Sequence, residues 1–183
     1  MDIINLKMIR LYLFLLIVFF SCQTEMETQK TNKTTIPSLD LERYMGTWYE
    51  IARNPHRFEK GLVGVTATYA LLPDGKISVT NKGYENTLQG KLSVAQGKAK
   101  LPDKNQPGRL KVSFFWIFYA DYFIFDLDAN YQWALIGSSS DNYLWILSRT
   151  PGMDEVLYQQ LLDKLRTRGY DTGKLGKVLQ PGN

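Results

Sequence analysis

Gly46-Thr47-Trp48-Tyr49-Glu50-Ile51-Ala52-Arg53 is the stretch where a polar lead-in becomes a continuous series of strands. Gly46 has no Cβ and lets the backbone turn tightly. Behind it Trp48, Glu50 and Ala52 alternate with Tyr49, Ile51 and Arg53, the period of two that marks a strand. One face carries the indole. A tryptophan at the start of a first strand is well placed to plug one end of a barrel, where a large ring fills the space left by tapering strands. On burial statistics alone, ordinary core is the favoured reading of Trp48.

Downstream, short strands follow one another quickly. They are expected at about 63–72, 76–84, 88–101, 109–118, 122–127, 131–138 and 143–149, separated by turn sequences such as Pro73-Asp74-Gly75, Asp128-Ala129-Asn130 and Ser139-Ser140-Asp141-Asn142. With the first strand this makes an all-β, eight-stranded up-and-down antiparallel barrel, a strand count that closes with room for one small ligand. The fourth strand places Ser93, Ala95, Gly97 and Ala99 on one face, and small side chains turned inward leave a hollow. Leu110, Val112, Phe114 and Trp116 share a face of the fifth strand, and Tyr143, Trp145 and Leu147 one of the eighth, giving that hollow aromatic walls. A solidly packed interior is the competing expectation. The loop Asn54–Gly61, broken by Pro55, is long enough to lie across the barrel mouth as a lid. Ser38–Tyr44 is expected to make a helical turn capped by Ser38, with Leu41 and Tyr44 inward.

From Pro151 the period changes. Leu157, Leu161, Leu162 and Leu165 recur at helical spacing, with acids at the start, Lys164, Arg166 and Arg168 near the end and Gly169 as a stop. This single C-terminal helix must lay its leucine stripe on the outside of the barrel. The tail 175–179 is expected to add a short edge strand.

The length, 183 residues with 44% hydrophobic and 22% charged, is that of one globular domain. The net charge of +4 is scattered rather than gathered into a phosphate-tracking patch, which argues against nucleic acid. Cys22 is the only cysteine, so neither an intramolecular disulfide nor a multi-cysteine metal site can form. An apolar run from Leu11 to Phe20, preceded by Lys7 and Arg10, has the form of an export signal and is too short to span a membrane. Phe19-Phe20-Ser21 before Cys22 resembles the lipobox of bacterial lipoproteins, in which cleavage leaves the cysteine as a lipidated N-terminus; an ordinary secretory signal is the alternative. The expected organisation is therefore a signal segment at 1–21, a flexible polar tether at 22–37 and the barrel at 38–183, with Met8 as a second candidate start.

Together these pieces resemble a lipocalin, and within that family the bacterial outer-membrane lipoproteins that are apolipoprotein D-like. The motifs are Gly46-x-Trp48 with the residues that follow, Asp128-x-x-Tyr131 in the turn between the sixth and seventh strands, and Arg149 at the end of the eighth. The resemblance implies that Arg149 lies over the Trp48 indole. His56-Arg57-Phe58, Lys111–Phe115 and Asp141-x-Tyr143-Leu144-Trp145 are similar to the bacterial group as well. It further implies a small apolar or amphipathic ligand in the barrel, a fatty acid or lysophospholipid, and an outer-membrane location through a lipid on Cys22. Phe114, Trp116, Tyr122, Tyr143, Trp145 and Ala99 are then the expected wall, with His56 and Arg57 at the rim to meet a phosphate or carboxylate. No cofactor and no metal are expected, and a homodimer is an open option. A haem- or tetrapyrrole-binding protein is the alternative. A lipid-modifying enzyme has less support, because His56 is the only histidine, no Gly-x-Ser-x-Gly elbow is present, and neither Glu50 nor Asp126 has a recognisable partner.

Overall fold

The structure, a computed structural model, describes residues 30–115 and 117–182. The chain divides into two units, residues 1–30 and Thr31–Asn183. The signal segment, Cys22 and the side chain of Trp116 lie outside the described residues. The second unit runs α1 (Leu41–Tyr44), β1 (Gly46–Arg53), a 3-10 turn (Arg57–Glu59), β2 (Leu62–Leu71), β3 (Ile77–Glu85), β4 (Leu92–Lys100), β5 (Arg109–Phe115), β6 (Phe118–Leu127), β7 (Trp133–Gly137), β8 (Leu144–Ser148), α2 (Glu155–Thr167), a second 3-10 turn (Thr172–Lys174) and β9 (Gly176–Lys177). Each of β1 to β8 pairs antiparallel with its neighbours, and β8 returns to β1, which also pairs with β2, so the eight strands close into a barrel.

Alternation along the strands sorts their side chains into two cores. Trp48, Tyr69, Val79, Leu110, Ile124 and Ile136 belong to the interior. Phe123, Phe125, Leu135, Leu144 and Ile146 face outward and are covered by Tyr158, Leu161, Leu162 and Leu165 of α2. Burying each leucine of that stripe contributes roughly 1.5–3 kcal/mol. Asp154 caps α2 by accepting from the Leu157 N–H at 3.1 Å. Gly137 is needed where β7 passes under Phe125, since a Cβ there would lie 2.2 Å from the ring. Asp126, unpartnered on sequence grounds, receives Lys164 Nζ of α2 at 2.7 Å and so meets the helix.

Several boundaries move for identifiable reasons. The fourth strand starts at Leu92 rather than 88, because the Gly90 N–H closes a turn on the Thr87 carbonyl. The fifth ends at Phe115 and the sixth starts at Phe118, with those two residues paired across a tight hairpin. The run Ser113–Ala120 is uncharged and offers no turn signal, so the sequence reading overran it. Asp40, not Ser38, caps α1, accepting from the Arg43 N–H at 3.1 Å.

Residues 31–37, assigned by composition to a flexible tether, instead lie along the barrel. The Asn32 N–H donates to the Arg168 carbonyl at 2.8 Å and the Ile36 N–H to the Ile124 carbonyl at 3.0 Å, while Lys33 binds Asp141 and the Ser139 carbonyl. The polar side chains that made this stretch read as disordered are the groups that tie it down.

Candidate functional site

Strand direction gives the barrel a closed end, where β1 enters, and a mouth, formed by the connections β1–β2, β3–β4, β5–β6 and β7–β8. The closed end assembles all five signature residues. Trp48 is wholly buried and donates its indole N–H to the Tyr44 carbonyl at 2.9 Å. The Arg149 guanidinium lies 3.9 Å from the centre of that indole and donates to carbonyls of Tyr131, Thr47, Arg43 and Tyr44 at 2.7–3.2 Å. One cation thus fastens α1, β1 and the β6–β7 turn together over an aromatic face. Gly46, at φ +92°, leaves room for it, since a Cβ would stand 3.3 Å from Arg149 Nη1. Asp128 accepts from the Asn130 and Gln132 N–H groups, which holds Tyr131 at φ +61° with its hydroxyl receiving the Asp40 N–H at 2.9 Å. Trp48 is therefore the plug as well as core.

Above this floor, phenols from three elements meet. Tyr122 Oη lies 2.7 Å from Tyr44 Oη and accepts from the Tyr69 hydroxyl at 3.1 Å. Burial pushes the Tyr69 phenol up to about 12, and the other two well above their ordinary value, so the triad is neutral in water at any ordinary pH. Ala99, Phe114, Tyr122 and Trp145 all pack with the interior cluster. Tyr143 precedes β8 and stacks on Trp145, rings 6.0 Å apart at 14°. Of the proposed wall, only Trp116 is not described.

At the mouth the interior carries charge. Glu50 is buried and bound to Arg53 at 2.5 Å, although residues three apart on a regular strand face opposite ways. A register shift between Glu50 and Ala52 turns Arg53 back inside. Arg53 also donates to the carbonyls of Glu59 and Leu62, each at 2.8 Å, which pins the lid loop. Glu59 Oε2 receives the Trp145 indole N–H at 3.3 Å and sits 2.9 Å from His56 Nε2, an ion-pair distance without a directed hydrogen bond. Burial, reinforced by the charge on Glu59 and opposed by Arg53, raises the Glu50 carboxyl to about 8. Burial works against the Glu59 charge too, but the His56 ring beside it, with Arg53 and the Trp145 indole N–H, holds it below its ordinary value.

The two expected rim residues part company. His56 turns inward, its side chain 8% exposed, against Tyr143 and Trp145 at 5.6 and 5.4 Å, whereas Arg57 stays in solvent over Phe58. The Glu50–Arg53–Glu59 cluster was missed because a bulge leaves no mark in a period-two pattern. Two cavities open on the outside of the wall. One, of about 470 Å³, lies between the lid loop and the C-terminal tail and reaches Arg53 and His56; the other, of about 480 Å³, lies beside Lys33, Arg109 and Asp121. Among the described residues no group of His, Cys, Asp and Glu is arranged to hold a metal.

The Lipocalin-like domain family model matches residues 39–180. The chain is 45% identical over 150 residues to the outer membrane lipoprotein Blc of Escherichia coli K12, covering 82% of this chain and 84% of the relative. It is 43% identical over 162 residues to temperature-induced lipocalin-1 of Arabidopsis thaliana, covering 84% and 86%. To apolipoprotein D of Mus musculus it is 33% identical over 153 residues, covering 75% of each. Lobster apocrustacyanin A1 superposes with a TM-score of 0.64 at 17% identity, covering 83% of this chain and 91% of that one, a likeness of fold alone. A closed eight-stranded barrel, a tryptophan floor sealed by an arginine and these relatives lead to one conclusion: the chain belongs to the lipocalin family.

Proposed function

We propose that this protein is a carrier, lipid-anchored in the outer membrane, that holds a fatty acid or lysophospholipid in its barrel. One observation carries the reading. Ala67, Val112, Phe114, Tyr122 and Trp145 pack with the interior cluster yet are only partly buried, which supports a space among them that the chain leaves for a ligand. Apolar walls around such a space desolvate an acyl chain at roughly 0.8 kcal/mol per methylene. Several relatives carry the name outer membrane lipoprotein, and the lipobox-like sequence before Cys22 supplies the means of attachment. In this reading Ala99, Phe114, Trp116, Tyr122, Tyr143 and Trp145 contact the chain of the ligand, and Arg57 is left to meet its head. His56 is engaged with Glu59, which favours an amphiphile over a haem ligated by that ring.

Two measurements test this. Organic extracts of the natively purified protein should yield single-chain lipid by mass spectrometry, and added lysophospholipid should be returned unchanged; cleavage of it would make the protein an enzyme. Trp145→Ala should weaken displacement of a fluorescent fatty acid about tenfold or more while costing little stability. Trp48→Ala should cost about 3–5 kcal/mol of stability, as large core truncations do. Equal effects of the two changes on binding would remove the distinction between wall and floor.

A further inference from the structure

We infer that the barrel mouth docks on a lipid bilayer, with the tip of the β5–β6 hairpin inserted among the headgroups. Phe115, Ile117 and Phe118 at that tip are 69%, 72% and 76% exposed, and Phe58 on the neighbouring lid loop is 60% exposed. The eight residues Ser113–Ala120 carry no charge and include five aromatic rings. An exposed apolar cluster of this kind marks an interaction surface, and the same run contains a Trp and a Tyr, Trp116 and Tyr119, the two residue types enriched at a membrane–water boundary.

Charge at the same end suits anionic lipid. Arg57, Lys60 and Lys91 sit in mouth loops without an acidic partner among the described residues, whereas the acids Glu50, Glu59, Asp121 and Asp141 are each already paired. Glu85 is the one acid of this rim with no ion pair among the described residues.

The route of the N-terminal segment points the same way. Residues 31–37 run from the mouth toward the closed end: the Thr31 hydroxyl and Lys33 bind Asp141 in the β7–β8 loop, and the Asp40 N–H reaches Tyr131 at the floor. Thr31, the first residue of the barrel unit, therefore lies at the mouth. Thr31 follows Cys22 by nine Cα-to-Cα steps, a reach of at most about 30 Å. Strands of up to ten residues make the barrel about 25 Å tall after tilt, so a tether rooted at the mouth would be nearly used up in bringing the closed end to the membrane. Docked mouth-down, the lumen opens into the acyl layer, and a ligand passes between bilayer and barrel without crossing water.

This docking rests on the anchored-carrier reading, and the test separates the two. The anchored chain is reconstituted in phosphatidylethanolamine vesicles containing phosphatidylglycerol, with an environment-sensitive fluorophore at Ile117→Cys or, at the opposite end, at Leu72→Cys. Lipid-borne quenchers should extinguish the first label and spare the second. Phe115→Asp, Ile117→Asp and Phe118→Asp combined should slow transfer of a fluorescent fatty acid between vesicles about tenfold with its affinity in solution unchanged. Equal quenching at both positions overturns the docking. So does protection of the Ile117 label that follows protein rather than lipid concentration, which would assign the tip to a second copy of the chain. A chain that docks but binds no fatty acid in solution overturns the carrier reading alone.

Discussion

Glu50 is a carboxyl held inside a barrel with its guanidinium partner, and the pair has a consequence for pH. Its proton is kept to about pH 8 in the folded state, against an ordinary value of 4.5. Between those values the folded chain binds more protons than the unfolded one, so stability falls as pH rises across that window and levels off above it. Glu59, whose value is lowered, acts in a different window: the stability it contributes is present above 4.5 and is lost as pH falls through its folded value. Arg53, His56 and Glu59 face this site, and the Tyr69 phenol lies within the field of both carboxylates. Glu50→Gln keeps a side chain able to bond Arg53 but has no proton to lose. Thermal melts from about pH 5 to pH 8 should therefore fall less steeply for the variant than for the parent; identical slopes would place the titrating group elsewhere.

At the scale of the element, α2 shows what one amphipathic face contributes. Leu161 is completely buried against the outer faces of the sheet. Leu161→Ala should cost about 2–5 kcal/mol in urea unfolding, with fatty-acid affinity nearly unchanged because the lumen lies on the other side of the strands. Asp126→Asn should cost less than about 1 kcal/mol, since Lys164 opposite is half exposed and such pairs are weak. A larger loss from Asp126→Asn than from Leu161→Ala would mean that the ion pair, not the leucine stripe, docks the helix. These elements also show what was legible in the sequence. The helix and the eight strands follow from period and turn residues, and the floor follows from the family resemblance that Gly46, Trp48, Asp128, Tyr131 and Arg149 carry. The charged cluster at the mouth was not legible, because the bulge that brings Arg53 beside Glu50 is a property of pairing with β8 and not of local composition. The strap at 31–37 was hidden for a related reason: its order comes from backbone bonds to Ile124 and Arg168, which polar composition does not announce.

For the whole molecule the deciding feature is closure, and the ring of strands is not uniform. β1 pairs with β2 only through Gly46–Tyr49; its mouth half, from Glu50 to Arg53, pairs with β8 and β9 instead, leaving a seam toward β2. The C-terminal tail fills that seam. The Val178 N–H donates to the Ile51 carbonyl at 2.9 Å on one side, and the Gly64 N–H donates to the Leu179 carbonyl at 2.7 Å on the other. Gln180, fully buried, joins the two edges by donating its amide to the carbonyls of Glu50 and Val65 at 2.8 and 2.9 Å. Gln180→Glu puts an acceptor where both carbonyls need a donor, and buries a charge without a partner, a cost of about 3 kcal/mol or more. The loss should appear first as local opening: amide hydrogen exchange should quicken at Gly64 and Val178, whose bonds span the seam, while Leu161 and Leu165 in α2 keep their protection. Uniform acceleration through strands and helix alike would mean that the tail is simply part of one cooperative core and that the barrel has no seam to open.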